Sequence, residues 1–237
     1  MWSNVISIDK MYDKEFEYLY EKIKADKNVS YAYEESRSRH FLYLASLCES
    51  SLDVIANVEN SICEVYLNHF KLKHFTKSFK TLSDPLVALT SALLLFDHAY
   101  EDALIRKVLS EATEYNIDGI LNFRLGALTE NWNELSDLIS NLLANSQTDD
   151  DVYSVAQFIN SQEGGINRLM LSENQLVNLT KSKNVEIENF FDNNEQNLIF
   201  AIIKEKPAEL VVKNRRLTDS LKRSISPFAR IRESKYD

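Results

Sequence analysis

The sequence predicts an α+β protein with a central helical bundle, flanked by a small mixed α/β unit at each end. Apolar residues recur at three- and four-residue steps through the middle of the chain, which is helical spacing, whereas short alternating segments lie on both sides. Only four glycines and three prolines occur in 237 residues, and 44% of the residues are hydrophobic. This composition is typical of a folded protein rich in regular structure. We therefore expect one integrated body with soft boundaries, built from residues 1–50, 51–163 and 164–237.

The N-terminal unit, residues 1–50, is predicted to have a βαββ order. Residues 5–8 are a short apolar strand and residues 12–24 a helix, while residues 29–35 and 40–46 alternate as strands do. The polar tripeptide Ser36-Arg37-Ser38 joins the last two strands as a hairpin. The next helix begins at Ser50-Ser51, and a basic, aromatic connector is expected over residues 71–80.

The central segment, residues 51–163, is organised around residues 82–143. One long helix is predicted to begin at Ser83 or Asp84 with Pro85, and to continue to about residue 115. Its apolar stripe is Leu86, Leu89, Leu93, Phe96, Tyr100, Leu104 and Val108. A short helix over residues 120–125, a third helix from Thr129 that carries Trp132, and a fourth beginning at Thr148 complete the centre.

The C-terminal unit, residues 164–237, follows the Gly164-Gly165 pair. Strands are predicted over residues 166–171, 175–179, 209–212 and 228–232, and helices over residues 195–204 and 217–225.

The charge and the cysteine content restrict the function classes. The net charge of −9 argues against nucleic acid as a partner of the whole surface. Residues 204–237 nevertheless contain ten basic and five acidic residues, so a basic end follows an acidic body. No secretory signal and no apolar run long enough for a membrane span occur, so we expect a cytoplasmic protein. Cys48 and Cys63 fit no zinc or redox spacing and are expected to be reduced core residues.

The central segment contains a candidate polar cluster. Asp97 falls inside the predicted apolar stripe, where an unpaired carboxylate would cost several kcal/mol. Arg124 is expected to pair with Asp97 or with Glu101, and Phe123 to pack in the core. The alternative is that Arg124 stays free as an anion anchor in a cleft. The whole candidate cluster is Asp97, Tyr100, Glu101, Asn116, Asp118, Gly119, Phe123 and Arg124. In it, Asn116 and Asp118 are predicted helix caps, and Gly119 permits a tight entry into the next helix.

The same region contains possible metal ligands, but the sequence does not favour a metal site there. His98, Glu101 and Asp102 can share one face of a helix, but one helix supplies too few ligands. No nucleotide-binding loop and no hydrolase or metalloprotease motif occurs. We therefore assign no catalytic residue, no cofactor and no metal ligand.

The basic end is the remaining candidate surface. Its predicted patch is Arg215, Arg216, Lys222, Arg223, Arg230 and Arg232. A solvated surface or a docking patch for an acidic partner is favoured over nucleic acid, since Phe228 is the only aromatic residue nearby that could stack on a base.

The central segment of the chain also resembles one known protein family. The run Ala92-Leu93-Leu94-Leu95-Phe96-Asp97, with Tyr100-Glu101, and the segment from Asn116 to Leu125 resemble the pattern of the YtxC family of sporulation proteins. Residues 195–212, with Pro207, are similar to the family's later helix, proline and strand. The C-terminal strand here lacks the cysteine that relatives often carry. The resemblance implies a helical section before a small α/β end, and a sporulation-linked cytoplasmic role with no assigned reaction.

These observations favour a non-enzymatic interaction or accessory protein with a protein partner. The alternatives are an enzyme with a polar or metal site around Asp97, Glu101 and Arg124, and a protein that binds nucleic acid by charge through its basic C-terminal segment.

Overall fold

The structure is a computed structural model, and it describes residues 2–47, 51–77, 79, 82–145, 148–161, 165–173, 175–191 and 193–234. It confirms the α+β class. Nine strands lie within these residues: β1 Trp2–Asp9, β2 Ser30–Glu35, β3 Arg39–Ser46, β4 Tyr115–Asn116, β5 Asn167–Leu171, β6 Leu176–Asn178, β7 Lys183–Val185, β8 Pro207–Lys213 and β9 Arg230–Ser234. The α-helices in the same residues are α1 Asp13–Ala25, α2 Ser51–Glu64, α3 Lys71–Thr76, α4 Asp84–Leu95, α5 His98–Ser110, α6 Ile117–Phe123, α7 Gly126–Asn145, α8 Asp149–Ser161, α9 Asn194–Lys204 and α10 Asp219–Ile225.

The chain divides into two compact units, each made of two stretches of sequence. The first unit contains Met1–His74 and Asp97–Asp137, and the second contains Phe75–Phe96 and Leu138–Asp237. This division differs from the predicted segments 1–50, 51–163 and 164–237, because residues distant in sequence pack into the same unit. Cys48 and Gly164, which the sequence analysis singled out, lie outside the described residues.

The sheet of the first unit has the strand order β2-β3-β1-β4. β2 and β3 form the predicted hairpin, closed by a hydrogen bond from the Ser36 backbone N–H to the Arg39 carbonyl. β1 pairs antiparallel with β3 and parallel with β4. Alternate residues of β1 and β3 are buried, which places Ile6 opposite Leu42 on the core face.

The predicted long helix is wrong, because it is two helices. α4 ends at Leu95 and α5 begins at His98, and between them Asp97 has φ 55°, in the left-handed region. Aspartate tolerates that conformation better than most residues do, so it can end one helix and start another. The break was invisible in the sequence because the apolar spacing continues across a two-residue interruption.

The helix that begins near residue 51 continues further than predicted. A π-helical segment, Val65–Phe70, follows α2 directly, and α3 follows that segment. Lys71 therefore lies on a helix and is fully buried, although the sequence analysis placed it in a connector.

The second unit contains a sheet with the order β7-β6-β5-β8-β9. β5, β6 and β7 form an antiparallel meander, whereas β8 runs parallel to both β5 and β9. α9 precedes β8 and α10 connects β8 to β9, as the sequence predicted; β7 was not predicted. α4 is buried on nearly all sides and packs against α8 and α9 of the same unit. No helix within the described ranges is both long and apolar enough to cross a bilayer.

Candidate functional site

Half of the residues of the predicted polar cluster do not lie together in the structure. Asp97 and Tyr100 are exposed, and Phe123 is 87% exposed instead of packing in the core. Arg124 donates a hydrogen bond to Glu111 Oε2 at 3.0 Å. Among the described residues no ion pair joins Arg124 to Asp97 or to Glu101, so the predicted pairing is wrong. The reason is the break at Asp97, which turns its side chain out of the stripe that a continuous helix would have formed.

Glu101 is the buried carboxylate of this region. Its Oε2 accepts a hydrogen bond from Lys71 Nζ at 2.6 Å, and its Oε1 accepts one from Trp132 Nε1 at 2.8 Å. The three residues lie on α3, α5 and α7 and are at most 5% exposed. A buried charge is tolerated when it is paired and its remaining hydrogen-bonding atoms are satisfied. We call this group the Lys71–Glu101–Trp132 cluster.

Sequence reasoning missed Lys71 as the partner of this carboxylate. The available signal was a pair of apolar residues three positions apart, Leu72 and Phe75, which continues the helical pattern beyond Phe70. That continuation places Lys71 on a helix next to buried residues.

Asn116, Asp118 and Gly119 lie together beside Arg39. Asp118, which was predicted to be a helix cap, lies within the first turn of α6 instead. Asn116 caps α6, since its Oδ1 accepts the Gly119 backbone N–H at 3.1 Å. Arg39 donates to both carboxylate oxygens of Asp118 at 2.8 and 3.0 Å, and to Asn116 Oδ1 at 2.7 Å. Asp118 also accepts the backbone N–H of Asp9 at 2.9 Å. This network, the Arg39–Asp118 cluster, ties α6 and β4 to β1 and β3.

The electrostatics of Asp118 follow from those contacts. Partial burial acts to raise the pKa of its carboxyl group, but the hydrogen bonds from Arg39 and from the Asp9 backbone outweigh burial and lower the pKa below its usual value. Both oxygens are engaged within the protein. The geometry therefore stabilises the fold by joining α6 to β1 and β3.

Other side chains that could take part in a reaction are also buried or hydrogen-bonded within the protein. Burial raises the pKa of the Cys63 thiol to about 12, so the nucleophilic thiolate is disfavoured at neutral pH. Arg106 donates to both oxygens of Asp102, at 2.7 and 3.1 Å. The described residues contain no group of three or more histidine, cysteine or acidic side chains placed to hold a metal ion.

The predicted basic patch is divided between a loop, a helix and a strand. Arg215 and Arg216 are exposed in the loop after β8. On α10, Lys222 contacts Glu233 at 2.6 Å and Arg223 contacts Asp150 at 2.7 Å. Phe228 is buried, so the aromatic residue that could have stacked on a base is not accessible.

The open face of the second sheet brings together arginines that the sequence did not connect. Residues paired in register share a face, so Arg168 of β5, Glu209 of β8 and Arg230 of β9 form one row across the sheet. Met170, Val211 and Arg232 form the adjacent row. Glu209 contacts Arg168 Nε at 2.7 Å and Arg232 Nε at 2.6 Å. We call this surface the arginine face. Arg168 was missed because it is far from the basic end in sequence.

The comparisons with known proteins add no relative. Neither protein-family models, nor curated proteins, nor solved structures give a match to this chain.

Proposed function

We propose that this chain is a non-enzymatic accessory protein that binds an acidic protein partner through its arginine face. Its role is sporulation-linked, as in the YtxC family that its central segment resembles. The observation that supports the binding proposal is the positive charge of the arginine face. Three arginines surround one glutamate on this face, whereas the whole chain has a net charge of −9.

The arginine face suits carboxylate ligands. Guanidinium groups bind carboxylates through two parallel hydrogen bonds, which a lysine cannot do. The two oxygens of Glu209 hold Arg168 and Arg232 before any ligand binds, although both side chains are more than half exposed. Such ordering lowers the entropy lost on binding. Met170 and Val211 are partly exposed between these arginines and supply apolar contact area.

A protein partner fits this face better than nucleic acid does. Among the described residues of the two rows there is no aromatic side chain on which a base could stack. Lys222 and Arg223, the basic residues of α10, already contact Glu233 and Asp150.

The test measures binding of a fluorescein-labelled peptide of sixteen glutamates to the full chain by anisotropy. We expect saturable binding that weakens with salt, and a loss of at least about tenfold in affinity, or about 1.4 kcal/mol, when Arg168, Arg230 and Arg232 are replaced with glutamine.

The matched control replaces Lys14, Lys27 and Lys107 with glutamine, because these lysines are exposed in the first unit. This variant has the same net charge as the arginine variant and should bind the peptide as the wild type does. Equal binding by all three proteins, or tighter binding of single-stranded RNA of equal length, would contradict the proposal.

The sporulation link has a separate readout. Affinity capture from sporulating and from vegetative cells should return an acidic protein that is enriched during sporulation and is lost with the arginine variant. Recovery in equal amounts from both kinds of cells would refute the link.

A further inference from the structure

The first sheet has a long edge strand that is exposed along its whole length. The two sheets formed by the described residues end on four strands, namely β2 and β4 in the first unit and β7 and β9 in the second. Natural proteins protect such edges by making them short or by placing proline or charged residues, above all lysine, on them. β4 has two residues, β7 has three and begins with Lys183, and β9 carries Arg230 and Arg232. β2 is six residues long, carries no lysine, arginine or proline, and has its charged residues, Glu34 and Glu35, only at its C-terminal end.

β2 has the sequence Ser-Tyr-Ala-Tyr-Glu-Glu, and all six residues are exposed. Neither lysine, arginine, proline nor glycine interrupts it. Tyr31 is 39% exposed and Tyr33 is 45% exposed. A strand of this length with exposed tyrosines offers both backbone hydrogen bonds and apolar area to another strand.

The hairpin determines which backbone groups of β2 face outward. Ser36 and Arg39 form a hydrogen-bonded pair beside the turn, and such pairs alternate along an antiparallel ladder. Ser30, Ala32 and Glu34 therefore bond to β3. The N–H and C=O groups of Tyr31, Tyr33 and Glu35 point to the free edge, where an added strand would accept and donate hydrogen bonds.

We propose that β2 pairs antiparallel with β2 of a second copy of this chain, which joins two four-stranded sheets into one of eight strands. A two-fold axis beside Tyr33 places Tyr33 opposite Tyr33 of the second copy. Tyr31 then lies opposite Glu35 of that copy, and Ala32 lies opposite its Glu34. Each outward-facing residue meets another outward-facing residue, so the backbone hydrogen bonds are complete.

The charges along β2 favour a second copy as the occupant. Its acids, Glu34 and Glu35, lie at the C-terminal end, whereas Lys24 lies over the ring of Tyr20, which packs against Tyr31 near the N-terminal end. Antiparallel pairing brings the Lys24 end of one copy to the acidic end of the other. The same pairing in parallel would place like charges side by side, which is unfavourable.

The aromatic residues fit the same arrangement. Tyr33 packs against Phe16 with ring centroids 5.4 Å apart, and Tyr20 packs against Tyr31 at 5.6 Å. Two-fold pairing extends this row of rings across the contact between the two β2 strands, and cross-strand aromatic pairs stabilise antiparallel sheets. The contact is small, below roughly 1,200 Å² in total, so we expect a dissociation constant in the micromolar range.

The experiment is sedimentation velocity of the full chain at concentrations from about 1 to 200 µM, a range that brackets a micromolar dissociation constant. The wild type should shift from monomer to dimer. Tyr33→Lys places a lysine in each of the two paired β2 strands and should raise the dissociation constant of the dimer at least about tenfold. Tyr43→Lys is the matched control, since Tyr43 is also 45% exposed but lies on β3, away from the free edge. Circular dichroism verifies that both variants fold.

A crosslink tests the register without weakening the interface by charge. In a Cys48→Ser background, Tyr33→Cys should form a disulfide-linked dimer on mild oxidation, and Tyr43→Cys should not. A wild type that stays monomeric at 200 µM, a dimer unaffected by Tyr33→Lys, or equal crosslinking at the two positions would each overturn the proposal. Binding of the glutamate peptide at the arginine face is measured separately, so either result can fail alone.

Discussion

Replacing Lys71 with methionine should destabilise the first unit strongly. Methionine keeps most of the apolar stem of lysine but removes the ammonium group that contacts Glu101 at 2.6 Å. Glu101 would then be a buried carboxylate whose only remaining contact in this cluster is the Trp132 indole N–H. Removing one partner of a buried ion pair typically costs about 3–5 kcal/mol, which is a large part of the 5–15 kcal/mol that stabilises a domain.

A double-mutant cycle separates pairing from packing. Glu101→Gln leaves an oxygen for Trp132 but removes the carboxylate that the Lys71 ammonium contacts, so it should also cost about 3–5 kcal/mol. The Lys71→Met/Glu101→Gln double variant buries no charge and should be within about 2 kcal/mol of the wild type, because neutral replacements of buried ion pairs are often tolerated. The coupling energy should exceed about 2 kcal/mol.

The assay is urea unfolding followed by the fluorescence of Trp132. In a Trp2→Phe background Trp132 is the only tryptophan, so the signal reports on the first unit. Arg124→Met is the control, because it breaks the exposed pair with Glu111 and should cost no more than about 1 kcal/mol. Additive losses for the two single substitutions, or a loss below about 1 kcal/mol for Lys71→Met, would refute the reasoning.

Three further predictions follow from local geometry and electrostatics. Gly119→Ala should destabilise the protein by about 1–2 kcal/mol, because its Cβ would lie 2.7 Å from the side chain that caps α6; Gly126→Ala should cost nothing, since no atom lies within 4 Å of its Cβ. Cys63, with a pKa of about 12, should not react with a thiol reagent at pH 8 in a folded Cys48→Ser variant, and should react fully once unfolded. Because the folded thiol ionises at higher pH than the unfolded one, it should also lower stability as the pH rises above about 9. Asp118, whose pKa is lowered, should add stability above the ordinary carboxyl pKa and lose that contribution as the pH falls through its folded pKa, so Asp118→Asn should flatten the acid limb of the stability curve.

Each of these has a clear opposite outcome. Equal melting temperatures for the two glycine variants would show that the capping side chain moves aside easily. Rapid labelling of the folded protein would show that the thiol of Cys63 is accessible as a thiolate. An unchanged acid limb for Asp118→Asn would show that the hydrogen bonds from Arg39 do not hold that carboxyl group in its charged form.

Local information was sufficient for most of the individual elements. The βαββ order, the hairpin at residues 36–38, the cap at Asn116 and the alternation of short helices and strands after residue 164 depend on side-chain periodicity and turn chemistry. Both act over a few residues, so they can be recognised without knowledge of the tertiary contacts. Where prediction relied on continuity over many residues, as in the long helix through Asp97, it was wrong.

The pairing of charges needed the tertiary structure. A carboxylate near an apolar stripe indicated a buried ion pair. The sequence suggested that Arg124 pairs with Asp97 or with Glu101, whereas the protein buries Glu101 with Lys71. Asp97 is in the left-handed conformation between α4 and α5 and is exposed, whereas Glu101 and Lys71 are buried in the first unit.

By itself, then, the sequence determined the kinds and order of the elements, since hydrophobic spacing and capping are properties of neighbouring residues. Only the tertiary structure decided which distant side chains meet. Arg168 and Arg230 lie in the same row of a sheet because β5 and β9 both pair with β8, and β2 ends its sheet because no later strand joins it in the described fold. Strand pairing is long-range: its register and neighbours depend on the packing of the whole unit, which no short stretch of sequence contains.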